Sequence, residues 1–142
     1  MITRIYKNIF VGDWKDAETR DDFDVKICVA EDIKPEGDIK FPLYDGFHLK
    51  NANIFALAVC FVHHIRTKFS KILIYCGAGI SRSPAVIAGV MVIEGNKPET
   101  VWKNIKSVYP IASPEPYFKT LVHYVEEIRD EVRKNWAWRN IT

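Results

Sequence analysis

Cysteine is scarce in this chain. Cys28, Cys60 and Cys76 are odd in number and contain no C-x-x-C pair. That argues against a disulfide scaffold and for free thiols in a reducing compartment. Excess charge is also missing: 20 basic against 18 acidic residues leave a net +2, too little by itself to point to nucleic acid. The opening Met1 to Lys7 lacks the apolar core of a signal peptide, and no apolar run reaches membrane-spanning length. No repeat, low-complexity tract or linker interrupts the chain. What is present is a largely apolar sequence of 142 residues, 48% hydrophobic. That is enough for one domain over residues 1–142 with a full core. The expected setting is soluble and cytoplasmic, and a monomer is expected.

The hydrophobic pattern predicts a mixed order of elements. Residues 4–12 read as a hairpin turning at Lys7-Asn8, and Asp13 as the N-cap of a short helical turn through Trp14, Ala17 and Thr19. Strands are expected over 25–30 and 38–43, with a loop at Asp45-Gly46. Residues 51–68 carry a helical face of Ile54, Leu57, Ala58, Phe61, Val62 and Ile65. His63 and His64 lie on that helix about 100° apart, poor geometry for sharing a metal. A strand at 72–76 is followed by a helix from Arg82 to Glu94, apolar on nearly every side and stopped by Gly95-Asn96. Pro98 opens another helix to about Tyr109. Prolines 110, 114 and 116 make a stiff connector, and a last helix runs from about Tyr117 to Lys134. Trp136-Ala137-Trp138 is read as a tail too short for an element, which packs back on the domain or, as the lesser reading, waits for a partner. The fold class expected is α/β: a central mixed β-sheet flanked by helices.

The chemistry concentrates between Lys71 and Pro84, Lys-Ile-Leu-Ile-Tyr-Cys-Gly-Ala-Gly-Ile-Ser-Arg-Ser-Pro. A strand, a short loop and a helix N-terminus form an anion cradle, since loop N–H groups and the helix start converge and favour negative charge. Gly77 and Gly79 are expected to supply the unusual backbone angles. Arg82 adds a planar fork for two phosphate oxygens. Cys76 lies at the bottom, where the positive potential favours the thiolate nucleophile.

Cys76 to Arg82, with Ser83-Pro84, resembles the signature of the cysteine-dependent protein tyrosine phosphatase superfamily, most like the dual-specificity phosphatases. Asn8 to Ala17 is similar to that family's opening segment, and Phe41 to Asp45 to its general-acid loop. Val108 to Pro114, with Phe118 and Leu121, is similar to the segment behind the phosphate loop. The resemblance implies a dual-specificity-phosphatase-like single domain. Cys76 would be the nucleophile forming a cysteinyl-phosphate. The amides of Gly77, Ala78, Gly79, Ile80, Ser81 and Arg82 would hold the phosphoryl oxygens, and Arg82 would bind two of them. Ser83 would stabilise the departing thiolate. Asp45 would protonate the leaving oxygen and then activate water. No metal and no cofactor is implied, because the cradle itself provides the charge stabilisation. Two positions depart from the family pattern: Tyr75 stands where a histidine is usual, and Glu115 where an asparagine is usual. A Tyr75 hydroxyl in a related network is one reading, and it leaves the ionisation of Cys76 open.

The implied substrates are phosphorylated proteins or peptides, phosphotyrosine with or without phosphoserine and phosphothreonine. The same chemistry on an RNA 5′-triphosphate or a phosphoinositide is the alternative. The uncharged variable positions Gly77, Ala78, Ile80 and Ser81 favour protein, and nucleic acid is not expected. A non-catalytic phosphoprotein-binding module and a rhodanese-like sulfur transferase are the further readings. Cys28, on a strand that can neighbour the central one, is either a core thiol or an oxidation partner for Cys76.

Overall fold

The computed structural model describes residues 2–34 and 36–139, with side chains described as far as Asp130. The order is β1 (Thr3–Tyr6), β2 (Ile9–Gly12), α1 (Trp14–Thr19), β3 (Val25–Cys28), β4 (Ile39–Lys40), α2 (Asn51–Ile65), β5 (Ile72–Tyr75), α3 (Arg82–Ile93), α4 (Pro98–Val108) and α5 (Pro116–Arg139). The sheet runs β1-β2-β5-β3-β4. β1 is antiparallel to β2, and β2, β5, β3 and β4 are mutually parallel. The sheet is therefore mixed, with β5 in the middle. All four β5 residues are buried, as expected of a parallel strand covered on both faces.

Helix α3 is the centre of the other layer. It packs on β5, β2 and β1 and is itself wrapped by α2, α4 and α5. That explains why its sequence is apolar all round: from Arg82 to Val92 every residue is buried. The close approach of α2 requires Gly89, where a Cβ would lie 2.5 Å from Val59 Cγ2. Gly95, at φ 114, then turns the chain out of the helix as the sequence indicates.

The hairpin turns at Lys7-Asn8, with Lys7 at φ 53. Asp13 caps α1 through a capping box: Asp16 N–H donates to Asp13 Oδ1 (2.8 Å), and Asp13 N–H to Asp16 Oδ2 (3.0 Å). Several boundaries differ from the sequence-based expectation, and the 25–30 strand ends at Cys28. α2 stops at Ile65 rather than 68, because the Asn8 amide donates to the carbonyls of Arg66 (2.6 Å) and Phe69 (2.7 Å). The 38–43 strand shrinks to Ile39–Lys40, since Pro42 has no N–H and Leu43 N–H turns back to Phe41 O (2.8 Å). The last helix continues through Trp136, Ala137 and Trp138 to Arg139, so this segment is helical and not a separate tail. Whether those tryptophans pack on the domain lies outside the described residues. No helix of the described residues is long and apolar enough to cross a membrane.

Candidate active site

The loop between β5 and α3 sits at the carboxyl end of the central strand, where parallel sheets leave a crevice for ligands. Cys76 leaves the strand almost fully buried, and its Sγ lies 3.2 Å from Ser83 Oγ. A cavity of about 240 Å³ opens above them, lined by Asp45, Cys76, Ala78, Ile80, Ser81 and Arg82 among others. The structure thus brings Cys76, Arg82 and Asp45 to one cleft, with Ser83 beneath it.

The two loop glycines do different jobs. Gly79 has φ +74, and a Cβ there would lie 2.8 Å from Gly12 O and 3.1 Å from the Tyr109 hydroxyl. Gly77 has no positive φ, and its Cβ would meet nothing closer than Ile33 Cδ1 at 3.5 Å. The expectation that both supply special backbone angles is therefore corrected: Gly79 alone does. The Gly77 carbonyl instead accepts from Trp14 N–H (3.3 Å) at the start of α1. From the other side, Ser113 N–H donates to Ile80 O (2.8 Å), and Glu115 N–H to Ser81 Oγ (3.1 Å). The proline-rich connector thus braces the loop through backbone groups, and the Glu115 carboxylate is left to line the cleft.

Arg82 is held by partners that sequence reasoning did not single out. Its Nη1 donates to Asp32 Oδ1 (2.8 Å) and to Leu43 O (2.9 Å). The Arg82 side chain is 7% exposed and that of Asp32 57%, so the pair spans the boundary of the site. The Arg82 hydrogen bond holds the Asp32 carboxyl below its ordinary range. An exposed loop aspartate carries no sequence signal of such a role.

Asn51 was missed as well. It is fully buried, accepts from Tyr44 N–H (2.9 Å), and donates to Tyr44 O (3.0 Å) and Gly46 O (2.8 Å). These bonds clamp the loop on both sides of Asp45. An asparagine at the start of an apolar helix, just after Asp-Gly, was the available signal.

The Tyr75 hydroxyl lies beside Gly37, 3.0 Å from where a Cβ on that glycine would sit. In the β3–β5 register Tyr75 stands opposite Cys28. Burial pushes the Tyr75 phenol well above its ordinary value, and burial likewise pushes up the Cys28 thiol, which also lies 3.5 Å from Ala30 O. All three cysteines are free thiols, with Cys28 and Cys76 buried and Cys60 exposed. His63 Nδ1 lies 2.9 Å from Glu94 Oε2.

Residues 9–134 match the family model for the dual specificity phosphatase catalytic domain. The chain belongs to that family. Mouse dual specificity protein phosphatase 15 is 42% identical over 66 residues, 46% of this chain. The human protein is 33% identical over 82 residues, 57% of the chain. The matches span 28% of the length of each of these relatives. Among solved structures, DUSP15 superimposes with a TM-score of 0.77 at 21% identity, covering 94% of this chain and 95% of that one. Human DUSP28 gives 0.78 at 19%, covering 89% and 93%. These likenesses establish the fold expected from the sequence.

Proposed function

We propose that the chain is a protein phosphatase acting through a cysteinyl-phosphate. The observation that carries this is the convergence of Cys76, Arg82 and Asp45 on one cleft, with Ser83 Oγ 3.2 Å from the sulfur. The Cys76 thiolate attacks phosphorus and the bond to the leaving oxygen breaks, while Asp45 gives that oxygen its proton. The loop amides from Gly77 to Arg82 and the Arg82 fork hold the three equatorial oxygens, so charge is stabilised where it develops. Asp45, now a carboxylate, takes a proton from water, which attacks phosphorus. The P–S bond breaks, and Ser83 donates a hydrogen bond to the returning thiolate. Each carboxyl and sulfur state is the one the other step needs. Phosphorylated proteins and peptides are the proposed substrates, phosphotyrosine with phosphoserine and phosphothreonine. The free buried thiol fits a cytoplasmic, reducing setting.

Turnover of p-nitrophenyl phosphate and of phosphopeptides in the presence of a chelator tests the reading. Cys76→Ser is expected to lose about 1,000-fold or more, because no other group can take the phosphoryl. Asp45→Asn is expected to suffer more on phosphoserine peptides than on p-nitrophenyl phosphate, whose leaving group needs less protonation. Undiminished activity in Cys76→Ser would refute the assignment. Tight phosphopeptide binding without wild-type turnover would indicate a binding module instead.

A further inference from the structure

A second cleft, of about 380 Å³, opens between α4, the proline-rich connector and the first turn of α5. Trp102, Lys103, Ile105, Lys106, Ser113 and Lys119 line it. Ser113 also lines the catalytic cleft, and its N–H is tied to Ile80 O of the phosphate loop. The two clefts therefore meet at one residue fixed to the loop that would hold the scissile phosphate.

The charge of this cleft is unopposed. Lys103, Lys106 and Lys119 are exposed, and none is in an ion pair among the described residues. Lys71 and Lys40, by contrast, sit against Asp22 and Glu36. Lys106 Nζ donates to the Ala112 carbonyl (2.8 Å), and Lys119 Nζ lies 5.7 Å from the Trp102 ring. Glu99 and Glu115, the acids nearest in sequence, do not line the cleft. The Trp102 indole N–H is buried and has no partner among the described residues. A cationic rim over an apolar floor of Trp102 and Ile105 suits a side chain with a carbon stem and an anionic head.

We propose that this cleft is a substrate subsite for an anionic side chain, a carboxylate or a second phosphate, on a residue flanking the phosphorylated one. The proposal rests on the phosphatase reading of the adjoining cleft. With the phosphorylated residue over Cys76, the chain passing Ser113 brings its neighbour to the three ammonium groups. The lysines then select acidic or doubly phosphorylated segments and speed their capture.

The test uses wild-type protein and peptides carrying a non-hydrolysable phosphotyrosine mimic. They are flanked, on either side, by alanine, aspartate, phosphoserine or lysine. Calorimetry at low salt is expected to show the aspartate and phosphoserine peptides binding about 5-fold tighter than the alanine peptide, the lysine peptide weaker, and the gap closing at high salt. In Lys103→Gln/Lys119→Gln the gap should fall below about 2-fold, while Lys103→Arg/Lys119→Arg should keep it. Equal affinities in wild type, or a gap that survives the Gln pair, would overturn the subsite. So would phosphoinositide vesicles, and not the acidic peptides, losing affinity in the Gln pair, because the occupant would then be a lipid headgroup. Turnover of p-nitrophenyl phosphate separates the two claims. Turnover without flank preference sinks the subsite alone. Preference without turnover sinks the phosphatase reading and leaves the subsite standing.

Discussion

The two ends of α3 both carry a charge of the sign that the helix dipole disfavours. Arg82 is the first residue at the positive end, and Glu94 caps the negative end. Glu94 is saturated: Arg66 Nε bonds its Oε2, His63 Nδ1 lies at 2.9 Å, the Tyr6 hydroxyl donates at 2.8 Å and Lys7 Nζ stands at 3.7 Å. Its side chain is 6% exposed. Arg82 is not saturated by charge. One carboxylate, on a largely exposed Asp32, and one carbonyl hold a single nitrogen of its fork. A charge whose partners come from β1, α2 and the hairpin turn belongs to the architecture. A charge with a single nitrogen of its fork engaged among the described residues, beside a cavity and a helix N-terminus, is what the proposed phosphate binding requires.

Changing the two ends separately should separate activity from stability. Arg82→Lys keeps the charge and loses the fork; kcat/KM on p-nitrophenyl phosphate is expected to fall about 100-fold or more, with little change in Tm. A loss of Tm without loss of rate would erase the contrast. Glu94→Gln should do the reverse, lowering stability by about 2–3 kcal/mol at neutral pH while turnover at permissive temperature is kept. Burial favours the neutral form of Glu94, but Arg66, His63 and Tyr6 outweigh it and hold the carboxyl below its ordinary range. A depressed folded pKa gives stability that is present above the unfolded carboxyl value and lost as pH falls through the folded one. Denaturant melts should therefore show the wild-type advantage over Glu94→Gln shrinking below about pH 4.

Asn51→Ala sharpens the comparison by loosening the loop that carries Asp45 without touching either end of α3. About 10-fold is expected to be lost from kcat on phosphoserine peptides and clearly less on p-nitrophenyl phosphate, with a stability loss of about 1–2 kcal/mol. Equal losses on both substrates would deny Asn51 a role in placing the acid. The smallest effect belongs to Asp32→Asn. Its exposure screens the bridge, so kcat/KM should fall only about 2- to 5-fold. Because Arg82 holds Asp32 below the ordinary carboxyl range, this contribution is present at neutral pH and fades as pH falls through that lowered value. Steady-state rates across the acid range would show the wild-type and Asp32→Asn curves converging.

Much of the fold could be read locally. Strand and helix periods, the Asp13 cap, the Lys7-Asn8 turn and the Gly95 stop all depend on neighbours in sequence, and the structure carries each of them. The errors fell where a distant residue intervened. Asn8 takes the carbonyls at the end of α2 from 58 and 61 positions away. How Tyr75 bears on the thiol could not be read locally; the β3–β5 register sets it opposite Cys28, and its hydroxyl lies beside Gly37. Gly77 looked equivalent to Gly79, but only Gly79 meets the Gly12 carbonyl and the Tyr109 hydroxyl.

By itself the sequence determined the chemistry at hand: a thiol, a guanidinium and a hydroxyl spaced along a strand–loop–helix, whose backbone geometry follows from short-range sterics and hydrogen bonding. Which acids face those groups was decided only by tertiary structure. Asp32 reaches Arg82 across 50 residues, Asp45 reaches the cleft because Asn51 clamps its loop, and Glu94 vanishes into a network from three elements. Electrostatic partners act through space, and the packing of α3 against the sheet sets those distances.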